Sequence, residues 1–356
     1  MVQEVDEYGV LKEYRDYSSK KTLFIILLIF TIILFSLFAI TVGPLDITMN
    51  ESYRVVLHKI FPGLIKSPNE SIEGIIWLVR VPRVLTALIV GFSLAIAGAI
   101  MQPVLRNPMA SPFTLGVSSG AGFGAALAII LGKSIGSGPY YIIANAFFFS
   151  MLTSIVVLSI SKIKRTTPEM MILMGIAFSH LFSASITVLQ YFADSALVSE
   201  VLFWMVGSLS KGTWDTLSFI TPILLVCMPF LIIKSKDLNF ISSGEDDAES
   251  LGVNVEKTRA ILLIVSSLVI STTICFTGTI GFVGLVAPHI TRLIGGGDNN
   301  FVVPVSGLVG ALLLAVSDFI GMNLISPVTI PIGIMTSFLG VPMFIYLIMR
   351  RRRGDC

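Results

Sequence analysis

Apolar segments long enough to cross a bilayer recur along the whole of this chain, and they leave few ways for it to fold. They fall at about 22–42, 75–100, 113–132, 139–160, 170–192, 217–233, 260–277, 280–294, 302–322 and 330–349. A helix needs roughly 20 mainly apolar residues to span the hydrocarbon core, because each residue adds about 1.5 Å. Backbone in lipid must satisfy its own hydrogen bonds, so runs of this length fold as helices. The pattern therefore predicts an all-α polytopic membrane protein of about ten transmembrane helices. Only 13% of the 356 residues are charged, where a soluble chain carries about a quarter.

One membrane domain at 22–349 is expected between a polar tail at 1–21 and a basic end at 350–356. The first run is longer than the core of a signal peptide and reads as a retained helix. Leu197–Leu209 is apolar but too short to span, and is expected to lie on or dip into the outer face. The run at 280–294 is short, with Gly278, Gly281 and Gly284 marking a sharp reversal before it. With the N-terminus in the cytoplasm, Lys12, Arg15, Lys20, Lys21, Arg106, Lys162, Lys164, Arg165, Lys234, Lys236, Lys257, Arg259, Arg292 and Arg350–Arg353 face inside. Only Arg54, Lys59, Lys66, Arg80, Arg83, Lys133 and Lys211 fall outside. That imbalance predicts a multi-pass protein of the cell membrane, the inner one in a Gram-negative host, with both termini cytoplasmic. The net charge of +2 is spread over loops and offers no surface for nucleic acid.

Few residues carry chemistry. Cys227 and Cys275 sit in apolar runs and Cys356 is terminal, so neither a disulfide framework nor a metal site is expected. His58, His180 and His289 are far apart and form no metal motif. Gly132-Lys133-Ser134 ends like a phosphate-binding loop, but Leu127 stands where the required glycine belongs. The chain carries no Walker motif and is not expected to be an enzyme; nucleotide chemistry falls to a partner. Gly116, Gly120 and Gly124 lie four apart, which suits close helix packing or a helix bordering a transport path. Asn107-Pro108 makes a turn at the far end of the second span. Asp318, near the outer end of the ninth span, either pairs with an arginine or faces water.

The loop 238–253 is long and acidic where most inner loops are basic. Glu245 to Leu251 has helix-forming character, with Ala248 and Leu251 on one face and Gly252 placed to end it. Two readings remain open on these residues: a solvated acidic loop, or a short amphipathic helix seated in a groove of a soluble subunit. Ala97-Gly98-Ala99-Ile100 also echoes Thr277-Gly278-Thr279-Ile280, near the start of two four-span groups of opposite orientation. An inverted internal repeat of this kind is a transporter signature.

Arg80-Val81-Pro82-Arg83-Val84-Leu85, Gln102 with Arg106-Asn107-Pro108-Met109-Ala110, Leu115–Ala121, Gly244-Glu245 with Ala248 and Leu251-Gly252-Val253, and Gly278–His289 stand in one order. Pro331-Ile332-Gly333 and Leu339–Phe344 close the series. In these blocks the chain resembles the FecCD-type permease subunit of ABC importers for iron-siderophores, haem or cobalamin, over roughly residues 20–350. The resemblance implies the type II importer architecture, a homodimer around a central pathway, two ATP-binding subunits that carry ATP-Mg, and an extracytoplasmic substrate-binding protein. It implies no cofactor bound by this chain. By position, Arg80 and Arg83 resemble arginines that receive acidic residues of the binding protein, and Gly244, Glu245, Ala248, Leu251 and Gly252 resemble the coupling helix. Thr166 and Thr167 lie where the cytoplasmic gate is expected. A further docking arginine of the cobalamin member is replaced by Met322 at about that place. An ion-gradient-driven secondary transporter is the competing class, with Asp318, Arg80 and Arg83 almost its only candidate groups.

Overall fold

Each apolar run folds as a helix in the residues that the computed structural model describes, 7–43, 45, 47–64, 69–132, 140–164, 166–325 and 328–350. In chain order the helices are α1 (Glu7–Thr41), α2 (Met49–Ile60), α3 (Glu70–Glu73), α4 (Val81–Val104), α5 (Val117–Leu131), α6 (Tyr141–Lys164), α7 (Pro168–Tyr191) and α8 (Ser195–Met205). They continue with α9 (Trp214–Ile233), α10 (Ser235–Ser243), α11 (Glu245–Ser250), α12 (Val255–Thr277), α13 (Val283–Gly295), α14 (Asn299–Asn323) and α15 (Ile332–Arg350). A π-helical turn, Gly74–Arg80, joins α3 to α4 without a break.

Among the described residues, seven helical segments are long and apolar enough to cross a membrane. The shorter α5, α13 and α15 fill the remaining expected crossings, and α8 is the non-spanning apolar helix foreseen at 197–209. The first helix starts earlier than its apolar run, at Glu7. Arg351–Arg353, Cys356 and Lys133-Ser134 lie outside the described residues.

Helix α4 is the axis of the bundle, packed against α9, α12, α13 and α14. Lipid gives helices no hydrophobic reason to associate, so close backbone approach through small residues must hold them. Gly98 supplies it: a Cβ there would collide with the Gly284 carbonyl of α13, and one on Gly91 with the Gly310 carbonyl of α14. Outer helices read differently. Leu23, Ile26, Leu27, Phe30, Ile33 and Leu34 of α1 are exposed, as lipid-facing residues must be.

The chain cannot run helically from α12 to α13. Gly278 (φ 71) and Phe282 (φ 66) both take left-handed backbone, which a bulky Phe rarely adopts. Irregular backbone at membrane depth is tolerated where protein or a cavity covers it. Here Ser208 N–H donates to the Thr277 carbonyl at 2.7 Å, Thr279 Oγ1 donates to the Met205 carbonyl, and Gly333 N–H donates to the Val206 carbonyl at 3.0 Å. The break that shortens α13 is thus pinned by the ends of α8 and α15.

Candidate functional site

The broken segment lines an open cleft of about 850 Å³ with Ser111, Phe113, Met205, Leu285, Ser337 and Phe338. Thr279, Gly281 and Phe282 are the residues of the broken segment that line it. Its walls are mainly apolar with a few hydroxyls, and Phe338 is 71% exposed within the bundle's own surface.

At the start of α4, two arginines are engaged within the chain. Arg80 is buried, and its guanidinium donates to the carbonyls of Ile40 at 3.2 Å, Thr41 at 2.9 Å and Leu45 at 2.9 Å. These are the orphan acceptors at and just beyond the C-terminus of α1, where the helix dipole also favours a cation. Arg83 reaches across to α14 and donates to Asp318 from two of its three guanidinium nitrogens, Nε at 2.9 Å and Nη2 at 2.8 Å. Of the two fates open to Asp318 in the sequence, the arginine pair is the one found. Arg83 also borders a second cavity, of about 330 Å³, with Glu200, Lys211 and Phe203. Trp214 Nε1 donates to the Trp77 carbonyl at 2.7 Å beside these arginines, and the two indoles pack at 4.9 Å, as in an interfacial aromatic belt.

At the other end of α4 the acidic loop forms a helix. Gly244 begins it in backbone open essentially to glycine alone, φ 147 and ψ 148. Gly252 (φ 85) ends it: its N–H donates to the Glu249 carbonyl at 2.9 Å, and Val253 N–H donates to the Ala248 carbonyl at 3.0 Å. That pair of bonds is a Schellman closure, and Val253 packs with Ala248 beneath it. Sequence spacing put Ala248 and Leu251 on one face. The helix stops at Ser250; Ala248 is fully buried against Ile241 and Val255, while Leu251, the C-cap residue, is 66% exposed.

Glu245 faces inward. Its Oε1 accepts a hydrogen bond from Arg259 Nη2 at 2.7 Å and forms an ion pair with Arg106 Nη2 at 2.8 Å. The Arg259 hydrogen bond holds its carboxyl below the usual range against partial burial; the Arg106 charge adds to this and Glu169 opposes it. A depressed carboxyl stays ionised at neutral pH, and the stability it contributes is lost as pH falls through its lowered value.

The remaining expected residues divide by position. Asn107 makes an Asx turn, its Oδ1 accepting from Met109 N–H at 2.8 Å, with Pro108 exposed at the tip. Thr166 bonds to Ser161 through N–H at 3.1 Å and Oγ1 at 3.0 Å, and Thr167 is the N-cap residue of α7; neither lines the cleft. Gly120 and Gly124 press on the α6 backbone at Phe149 and Asn145, and Gly116 (φ 74) on Gly175 of α7, so this face of α5 serves packing. Sequence reading missed two sets of polar contacts. Ser150 and Ser154 of α6 meet Ser271 and Ser267 of α12 at 2.7 and 2.8 Å, and Arg292 Nη1 donates to Gln102 Oε1 across α13 and α4. Serines on both predicted spans were the available signal for the first; nothing local marks the second.

The described residues thus form a helical bundle with a mainly apolar cleft, lined by the irregular link between α12 and α13, and a short capped helix on one face. The chain belongs to the FecCD transport family, which its residues 27–350 match. It is 40% identical over 348 residues to an ABC transporter permease protein of Methanocaldococcus jannaschii, covering 95% of this chain and 97% of that one. The hemin transport system permease protein HmuU of Yersinia pestis is 36% identical over 280 residues, 78% of this chain and 84% of its own. A solved metal-chelate type ABC transporter in an inward-facing conformation aligns with a TM-score of 0.78 at 29% identity, covering 94% of this chain and all of that one. Other relatives are named for import of molybdate, Fe(3+)-citrate and vitamin B12.

Proposed function

We propose that the chain is the permease subunit of an ATP-driven importer for a metal chelate, a ferric siderophore first, with haem and cobalamin as the other cargoes of the class. A second copy closes the open cleft, so that the central pathway lies between two Phe338 faces. Two ATP-binding subunits seat on α11 and supply all nucleotide chemistry. The face that carries α11 is cytoplasmic, as are both termini, and a binding protein docks on the face that carries Arg83. ATP binding closes the ATPase pair, α11 follows, and the spans rock to alternate access. The contact must differ between the two ATPase states, because an equal contact shifts no equilibrium.

The observation that carries this reading is the pairing of a buried Ala248 with an exposed Leu251 on a helix fixed at both ends by glycine. A rigid, capped helix with one apolar side chain turned outward is what a soluble groove can hold. Leu251→Asp is expected to abolish ATPase co-purification and uptake while membrane insertion and folding persist. Full retention of the ATPase by that variant would sink the assignment of α11. Ion-gradient coupling is disfavoured by Asp318, whose two oxygens are already held by Arg83.

A further inference from the structure

Glu245 lies on the helix assigned to ATPase contact, yet its side chain turns the other way. Its Oε1 is shared by Arg106, in the turn that follows α4, and Arg259, in the first turns of α12. Arg106 holds left-handed backbone (φ 48) with its N–H donating to the Pro103 carbonyl at 3.1 Å, so its backbone is fixed to the end of α4. Alpha-4 has 24 residues, about 36 Å at 1.5 Å each. Its opposite end is fixed by the two-nitrogen bond from Arg83 to Asp318. One packed helix therefore joins a charged tie at the proposed docking face to a charged tie at the coupling helix.

Resting on the importer reading, we propose that Arg106 and Arg259 are positioning residues that clasp Glu245, so that α4 carries the state of the docking face to α11. Neither arginine touches the ATPase in this account; they make α11 move with α4 and α12. The charge-assisted hydrogen bond from Arg259 fixes the Glu245 carboxylate, and the Arg106 ion pair to the same oxygen ties it to the end of α4. A contiguous packed element biased at both ends is the physical basis for such coupling, and the coupling acts in both directions. Loss of the clasp uncouples the faces while leaving both in place.

The test uses the complete complex in lipid vesicles: the permease, its co-purified cellular ATPases and the cognate binding protein. Parent, Arg106→Gln, Arg106→Lys, Glu245→Gln and the double Arg106→Gln/Glu245→Gln are compared. Arg106→Gln is expected to keep the ATPases bound and to hydrolyse ATP at the basal rate, with stimulation by binding protein reduced about tenfold. A tenfold change corresponds to about 1.4 kcal/mol of coupling, within the usual range for linked sites. Arg106→Lys restores part of the stimulation, and the double variant is no worse than the more impaired single one. Additive losses, or full stimulation in Arg106→Gln, overturn the clasp. A parent complex with no stimulation overturns the importer reading and the clasp with it, so the two failures are told apart.

Discussion

Arg83→Ala lowers the stability of the folded chain by about 3–5 kcal/mol, the cost of leaving a buried carboxylate unpaired. The pair it breaks is 11% and 7% exposed at Arg83 and Asp318, and lies near one end of two spans. Removing both charges behaves differently. Arg83→Met combined with Asp318→Leu keeps volume and strands no charge, so its denaturation midpoint equals or exceeds that of the parent. That contrast separates structure from docking. If Arg83 also receives an acidic residue from the binding protein, the double variant stays folded and keeps its ATPases but loses stimulation. A double variant as unstable as Arg83→Ala would mean that the pair itself, and not the stranded carboxylate, accounts for the loss.

Gly98→Ala is the second large effect. One methyl group there meets the Gly284 carbonyl, a backbone atom that no rotamer change can move, so α13 must shift away from α4. Overpacking of this kind costs about 1–3 kcal/mol and more where the obstacle is rigid. Gly98→Ala is expected at or above the top of that range in the same denaturation assay. Gly122→Ala on α5 is the matched control: its Cβ would touch only Ile186 Cδ1 at 3.8 Å and Met205 Cε at 4.0 Å. There the gain in helix propensity, about 0.5–1 kcal/mol, goes unopposed and the variant is slightly more stable. Equal effects at the two glycines would contradict the close crossing of α4 and α13.

Hydropathy made the spans legible because lipid admits a single local solution for each apolar run, and the short run at 280–294 already announced its break through three glycines. The helix at 245–250 was only half legible: Gly252 was placed to end it, but three of its six residues are Asp or Ser and a solvated acidic loop fitted the pattern as well. What escaped was contact over long sequence separation. The sequence placed Arg80 and Arg83 together as outward-facing residues, but Arg80 is tied to backbone carbonyls of Ile40, Thr41 and Leu45, atoms that no residue pattern marks. Asp318 showed its need for a partner without showing which arginine, 235 positions away, would meet it. Leu251 was read as sharing the Ala248 face, but it caps the helix at its end and is exposed where Ala248 is buried. The Glu245 clasp was hidden because its three members belong to separate elements (the turn after α4, α11 and α12) and only the packed bundle brings them together.

The most direct test of the central claim is co-purification of the chain with its cellular ATPases, followed by ATP hydrolysis in lipid with and without the binding protein. A stable complex whose hydrolysis rises with the binding protein is the predicted result. A chain that stays alone and moves cargo down an ion gradient without any ATPase would contradict it.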